Sequence, residues 1–299
     1  MVGAAQGARR AGEGLIALIL VPGGRGQLGR DLALLSPDVR AVSSAELDVT
    51  SVAAADLSGA SAVINCAAYT AVDAAETDED RAFAVNAVGP GLLASACASL
   101  GIPMIHVSTD YVFAGDGTRP YEPSDPVGPK SAYGRTKLEG ERRVLDAGGW
   151  VVRTSWVYGV HGSNFVKTMA ALESSRPSLS VVDDQRGAPT WSHDLAAGLL
   201  ELASVLPEQR LLHATGGGET TWFRFAQAIF EELGADPARV QPCTTADFPR
   251  PAPRPAYSVL SGAAWAAAGL RPLPHWRSAL SEAFKAGVVA PRTGAAPLE

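Results

Sequence analysis

The stretch LIALILVPGGRGQLGRDLALL, residues 15–35, decides how this chain is read. Residues 15–21 are an unbroken apolar run of the length expected for a buried strand. The run is too short to cross a bilayer. Arg9 and Arg10 precede it, as in a secretory signal, but it leads into Gly23-Gly24-Arg25 without a small-residue cleavage site. The Ala- and Gly-rich first dozen residues read as a loose leader. QLGRDLALL, residues 27–35, reads as a helix. Between strand and helix stand Gly23, Gly26 and Gly29. A helix amino end there offers unpaired N–H groups and a positive dipole end to a phosphate, and the glycines leave room for it. In a chain with 31 glycines the spacing alone recurs by chance roughly 0.3 times. Its place directly after an apolar strand is what gives it meaning.

Outward from this stretch the alternation continues. VRAVSS, AVINCA and MIHVST read as short buried strands, each preceded by helix-compatible sequence. DRAFAVNAVGPGLLASACASLG reads as helix interrupted around Gly89-Pro90, and VVRTSWVYG as one further strand. Buried strands spaced by helices imply a parallel sheet with right-handed crossovers, a doubly wound α/β fold of Rossmann type. After Tyr158 the pattern loosens. HGSNFVKTMAALES and HDLAAGLLELASVL read as helices, and LSVVDDQRGAPTW as strand and loop. FPRPAPRPAYS, residues 248–258, carries four prolines and excludes a regular helix or central strand. The expected division is a cofactor-binding Rossmann unit over 14–158 and a smaller, substrate-binding lobe over 159–299. Some later segments, such as about 180–206, are expected to return to the first unit.

The 299 residues are 46% hydrophobic and 19% charged, with a net charge of −6. That balance argues against a nucleic-acid or anionic-membrane surface. Cys66, Cys97 and Cys243 lack metal-ligand spacing, which suggests a reducing, cytoplasmic setting without disulfides or zinc. No metal site is expected.

SAYGRTK, residues 131–137, places Tyr133 and Lys137 four apart on one helix face. Ser108, Thr109 and Asp110 end the MIHVST strand, the edge where ligands sit in open parallel sheets. A Lys ammonium near a tyrosine stabilises phenolate and lowers its pKa. Such a tyrosine can give a proton to a carbonyl oxygen while a nicotinamide on the glycine loop delivers hydride. Thr109 would hydrogen-bond the same oxygen. His106, inside the strand, reads as a packed core residue. Asp48 suits either an adenosine contact or a helix cap. Ser43, at the tip of the second strand, leaves that position without the acid that repels a ribose 2′-phosphate, and Arg25 lies in the neighbouring loop. NADPH is therefore expected, with NADH left open.

Gly-x-x-Gly-x-x-Gly, NCAAYTAVD, VNA, VSTDYVF, YGRTK, RTSWVYG, DDQRGAPT and RPAPRPAYSVL together resemble the extended short-chain dehydrogenase/reductases, from about residue 15 to about 280. Within them the chain is most similar to the reductases of dTDP-4-keto-6-deoxy sugars. The resemblance implies NADPH-dependent reduction of the C4 ketone of dTDP-4-dehydro-β-L-rhamnose. It implies Thr109, Tyr133 and Lys137 as the catalytic trio, with Lys137 also serving the cofactor. Gly26, Gln27 and Leu28 match the pyrophosphate loop, Asp48 and Val49 the adenine contacts, and Ala67, Ala68 and Tyr69 the strand edge beneath the cofactor. Thr70, Val72, Asp110 and Trp156 fall near the sugar or nicotinamide, and Asn164, Gln185 and Arg254 toward the sugar nucleotide. A homodimer is left open.

Three other readings stay in view. A sugar-nucleotide 4,6-dehydratase shares the fold but resembles Thr-Asp-Glu at the strand edge, where this chain has Tyr111. Reduction of another dTDP-4-keto sugar, of 6-deoxytalose or streptose type, fits the same residues. A nucleotide-binding regulatory subunit of the same fold would not consume NADPH.

Overall fold

The computed structural model describes residues 18–290. The leader and the first residues of the 15–21 run lie outside them. Strand β1 (Ile19–Pro22) is followed by helix α1 (Gln27–Leu35), then β2 (Val39–Val42) and β3 (Ala62–Asn65). Next come helices α2 (Glu79–Phe83) and α3 (Gly89–Leu100), strand β4 (Met104–Thr109), helix α4 (Ala132–Asp146) and β5 (Trp150–Thr154). These strands form a parallel sheet in the order β2-β1-β3-β4-β5, extended past β5 by β10 (Leu211–His213). The order reverses between β1 and β3, and a crevice at their carboxyl ends is the place such sheets offer a ligand.

α2 and α3 are one helical run, joined by a π-helical turn at Ala84–Val88, and not broken at Gly89-Pro90 as the sequence suggested. Pro90 has no N–H to give the carbonyl of Asn86, and a π turn is the local adjustment that carries a helix past such a defect. That carbonyl faces Gly140 of α4, where any Cβ would collide with it. The run is 22 residues long and apolar enough by composition to cross a membrane. Here it lies against the sheet with Leu93, Ala94 and Cys97 buried among Val63, Val144 and Val151.

The other face of the sheet is covered by α1 and by α6 (Ser192–Val205), through Leu28, Leu32, Leu195, Leu199 and Leu202. VVRTSWVYG proves to be two strands. β5 ends at Thr154, and β6 (Val157–Tyr158) pairs with β9 (Thr190–Trp191). Trp156, between them, has φ +47°, a left-handed conformation that a bulky side chain adopts only when its surroundings hold it there. Its indole stacks on that of Trp222 at 3.5 Å between centroids.

The remaining elements build a second core. β7 (Leu179–Val182) pairs with β12 (Val240–Cys243), and β8 (Arg186–Gly187) with β11 (Thr220–Thr221). Helices α5 (Phe165–Ser175), α7 (Trp222–Glu232) and α9 (Trp276–Lys285) pack Val166, Met169, Phe225, Ile229, Phe230 and Leu280 together. The short α8 (Ala263–Ala267) instead sends Trp265 back to the core beneath the main sheet. Of the stretch 180–206, α6 covers the sheet, while Val181 belongs to the second core.

Candidate active site

The glycine loop turns directly off β1. Gly23 has φ +81°, and a Cβ on it would meet the backbone of Cys66 and Ala67 at about 2.5 Å, so the loop lies flush on the end of β3. A Cβ on Gly29 would strike the Cα of Gly24 at 2.6 Å, which fixes how closely α1 approaches the loop. Gly26 caps α1 without any side-chain cap, so the first turn, Gln27 and Leu28 included, offers its amides outward. This uncapped amino end at the sheet's reversal point fits a pyrophosphate. Arg25 is exposed, its carbonyl accepting from Arg30.

At the tip of β2 the structure supplies what the spacing hid. Glu46 accepts both the N–H and the hydroxyl of Ser43, at 2.8 and 2.7 Å. An acid therefore stands where Ser43 alone suggested none, because the chain turns back after β2. The Ser43 bonds hold its carboxyl below the usual range, with Arg25 and Arg40 contributing. Asp48 accepts from the N–H and hydroxyl of Thr50 and so closes a turn; it caps no helix, since the next helical segment begins only at Ala54. Val49 is buried against the π-containing helix at Gly89.

Beyond β3 the chain is tied down by side chains. Ala67 donates its N–H to Asn65, and Tyr69 donates its N–H to Asn86. Asn86 gives its amide protons to the Tyr69 carbonyl and the Thr136 hydroxyl. Asn86, the centre of the VNA motif, thus joins the strand edge at Ala67–Ala68–Tyr69 to α4. Thr70 is exposed and Val72 half-buried on the loop that follows.

α4 begins at Ser131, which accepts from the Gly134 N–H, while Glu76 accepts from that of Ala132. Its next turns bring Tyr133 and Lys137 against the end of β4. The Tyr133 ring meets Tyr111 edge-on at 5.6 Å. Burial pushes the Tyr133 phenol up to about 12; the Thr109 hydroxyl pulls the other way and the Asp110 charge adds to the rise. The expected lowering by Lys137 is not what the geometry delivers. The Lys137 side chain is turned toward the sheet, its Nζ 2.6 Å from the Val107 carbonyl and 3.0 Å from Nε2 of His106. Burial brings Lys137 down to about 8, against smaller opposing effects of Glu141 and Cys66.

Thr109 donates to Asp110 at 3.0 Å and accepts from the Tyr111 N–H. Asp110 is buried, and that burial raises its carboxyl to about 6. Ser108 donates to Glu141 at 2.6 Å, and Glu141 is paired bidentately with Arg153 of β5, both out of water. His106 is indeed buried, but it is also the direct partner of Lys137, a role its place in an apolar strand concealed.

The structure brings Thr109, Asp110, Tyr111, Tyr133 and Lys137 together. Arg254 stands nearby, lining with Tyr111, Phe113 and Ser131 a cavity of about 30 Å³, and pairs with Asp73 at 2.9 Å. Asn164 caps α5 and gives its amide protons to Gln27 and the Gly159 carbonyl, so it bridges the lobe to the glycine loop. Gln185 is buried and donates to Thr245, inside the lobe. Among the described residues no cluster of three His, Cys, Asp or Glu side chains could hold a metal.

The family model described as RmlD substrate binding domain matches residues 17–288. The chain is 50% identical over 281 residues to the dTDP-4-dehydrorhamnose reductase of Mycobacterium tuberculosis strain H37Rv, covering 90% of this chain and 92% of that one. It is 44% identical to a Streptomyces niveus protein named dTDP-4-keto-6-deoxy-D-glucose reductase, over 89% and 96% of the two chains. The crystal structure of dTDP-4-dehydrorhamnose reductase from Bacillus anthracis in complex with NADP superposes with a TM-score of 0.86. Identity there is 33%, over 91% of this chain and all of that one.

Proposed function

The chain belongs to the RmlD substrate binding domain family, and from that premise we propose that it reduces the C4 ketone of dTDP-4-dehydro-β-L-rhamnose to dTDP-β-L-rhamnose with NADPH. The single observation carrying the chemistry is the constellation of buried Thr109 and Lys137 with half-buried Tyr133 at the carboxyl end of β4. Tyr133, kept protonated by burial, is the acid: its phenolic proton passes to the ketone oxygen. Thr109, on turning its hydroxyl proton away from Asp110, holds that oxygen by a hydrogen bond. NADPH, when bound, supplies the hydride for the ketone carbon. Lys137, once protonated, lowers the cost of the phenolate left on Tyr133 until a solvent proton replaces the one given up.

The uncapped first turn of α1, flanked by Gly23, Gly26 and Gly29, is suited to the pyrophosphate, and Asp48, Val49 and Ala67–Ala68–Tyr69 are assigned to the rest of the cofactor. The main sheet is the cofactor unit and the chain beyond Tyr158 mainly the sugar-nucleotide lobe, to which Thr70, Val72, Asp110, Trp156, Asn164, Gln185 and Arg254 are assigned. Tyr111, in the position of a dehydratase's glutamate, leaves elimination without its acid/base pair. The three cysteines are unpaired, in keeping with a cytoplasmic enzyme.

A second sugar is favoured by one finding: a relative at 44% identity is named for a different keto sugar. Purified protein incubated with NADPH and enzymatically made dTDP-4-dehydrorhamnose, with the product identified by NMR, tests both. The L-rhamnose configuration is expected. Absence of NADPH oxidation would return the chain to a regulatory role, and a C4 epimeric product would move it to a talose-type pathway.

A further inference from the structure

Four hydrogen bonds run in series beneath Tyr133, and their polarity can be worked out. The Ala67 N–H is always a donor, so the Asn65 atom it meets at 3.0 Å is the carbonyl oxygen. The amide nitrogen of Asn65 therefore faces Nδ1 of His106, at 3.1 Å, as a donor. Nδ1 must then carry a lone pair, which puts the proton of the neutral imidazole on Nε2. Nε2 lies 3.0 Å from Lys137 Nζ, so Nε2–H is the donor there and the lysine nitrogen the acceptor. Only an uncharged amine has a lone pair to accept with. It keeps two protons, one of which goes to the Val107 carbonyl. An ammonium would demand the opposite tautomer, setting Nδ1–H against the Asn65 amide in a buried donor–donor contact.

We propose that His106 and Asn65 form the positioning pair that sets the charge of Lys137, holding it as a neutral amine in the cofactor-free protein and tying its protonation to the turn at Ala67. Protonating Lys137 requires Asn65 or His106 to turn over, and Asn65 cannot turn without releasing the Ala67 amide. That amide lies at the strand edge assigned to the cofactor, so events at the crevice and the charge beneath Tyr133 are linked. This rests on the proposed reductase reading for its consequence, but not for its geometry.

The other titratable groups around Lys137 do not supply a substitute switch. Glu141, one turn along α4, is committed to Ser108 and Arg153. The Cys66 thiol, beyond β3, is pushed up to about 12 by burial and stays neutral. Tyr133 is protonated, and Asp110 acts on Tyr133 from beyond Thr109. Burial drives His106 well below its ordinary value, so it is neutral as the bonding requires. Burial, partly offset by Glu141 and Cys66, brings Lys137 to about 8. The donor–donor contact of the ammonium form lowers it further.

The tautomer is directly observable. Long-range proton–nitrogen NMR of the cofactor-free wild-type protein, ¹⁵N-labelled in histidine, at pH 8 should show His106 protonated at Nε2 and bare at Nδ1. Protonation at Nδ1 overturns the proposal, whatever the protein's activity. Asn65→Asp provides the complementary readout, because a carboxylate accepts from both the Ala67 N–H and an Nδ1–H. It should switch His106 to the Nδ1–H tautomer and raise the pH at which Lys137 titrates, followed through ¹³C-labelled lysine, by about one unit, the size of one buried hydrogen bond. The alkaline limb of kcat/KM should move with it. A switched tautomer with an unmoved lysine titration overturns the coupling. Unaltered NMR behaviour in a protein that oxidises no NADPH would instead fault the reductase reading alone.

Discussion

The floor beneath Tyr133 and the proline-rich strap at 248–258 each carry a basic side chain, and folding treats the two differently. Lys137 on the floor is 1% exposed and bonded only to neutral groups, so desolvation governs its charge. Arg254 on the strap keeps about a fifth of its side chain in water and is held by the carboxylate of Asp73, with Arg250 at 3.8 Å from the same residue. A basic group of the first kind can gain or lose its charge during a catalytic cycle. One of the second kind is a fixed charge whose partner can be exchanged. The strap reaches Asp73, within the NCAAYTAVD motif, so this exchangeable ion pair joins segments 181 residues apart.

Removing the acid above the floor should have the largest effect. Tyr133→Phe is expected to lower kcat by roughly 10²–10⁴ while leaving the NADPH dissociation constant near that of the wild type. Turnover within a fewfold of normal would take Tyr133 out of the chemistry.

Next is the buried pair that braces the floor. Arg153→Met leaves Glu141 charged and unpaired between β4 and α4, and should cost about 3–5 kcal/mol in urea unfolding. A loss below ~1 kcal/mol would mean that Glu141 finds water or a proton on its own, and that the floor is less closed than its burial implies.

On the strap, Arg254→Ala should raise KM for the dTDP-sugar by about tenfold, with a smaller effect on KM for NADPH, as expected for a lost charge-assisted contact with a diphosphate. Asp73→Asn frees the guanidinium without removing it, and should leave KM for the sugar nucleotide unchanged or lower. Equal rises in both KM values for Arg254→Ala would show that the strap only supports the fold.

The smallest effect is expected at the tip of β2. NADPH should exceed NADH in kcat/KM by about tenfold, near 1.4 kcal/mol. Glu46→Gln keeps an acceptor for Ser43 but removes the charge, and should widen that preference severalfold. Ser43→Asp adds a second carboxylate and should shrink or reverse it. No response to Glu46→Gln would mean that Arg25 and Arg40 already neutralise the carboxylate.

Much of this molecule was legible from short-range pattern. Apolar runs gave the strand positions, because a strand covered on both faces must be apolar throughout. Glycine spacing after β1 marked the loop, since only a residue without Cβ can lie against Cys66 and Ala67. The i,i+4 geometry of a helix was enough to set Tyr133 and Lys137 on one face. What pattern could not reach was decided by long-range contact. The helix runs on through Gly89-Pro90 because a π turn takes up the missing hydrogen bond, and Gly140, 51 positions later, makes room for it. Glu46 returns to Ser43 through a turn that no strand periodicity encodes. Composition and periodicity thus determined the sheet, the phosphate loop and the acid's address on its helix, all local properties of the chain. The tertiary structure alone decided the charge of that acid's neighbour. Whether a lysine keeps its proton depends on how much water is excluded and which donors face it, and those donors, Asn65 and His106, come from strands 31 or more residues away.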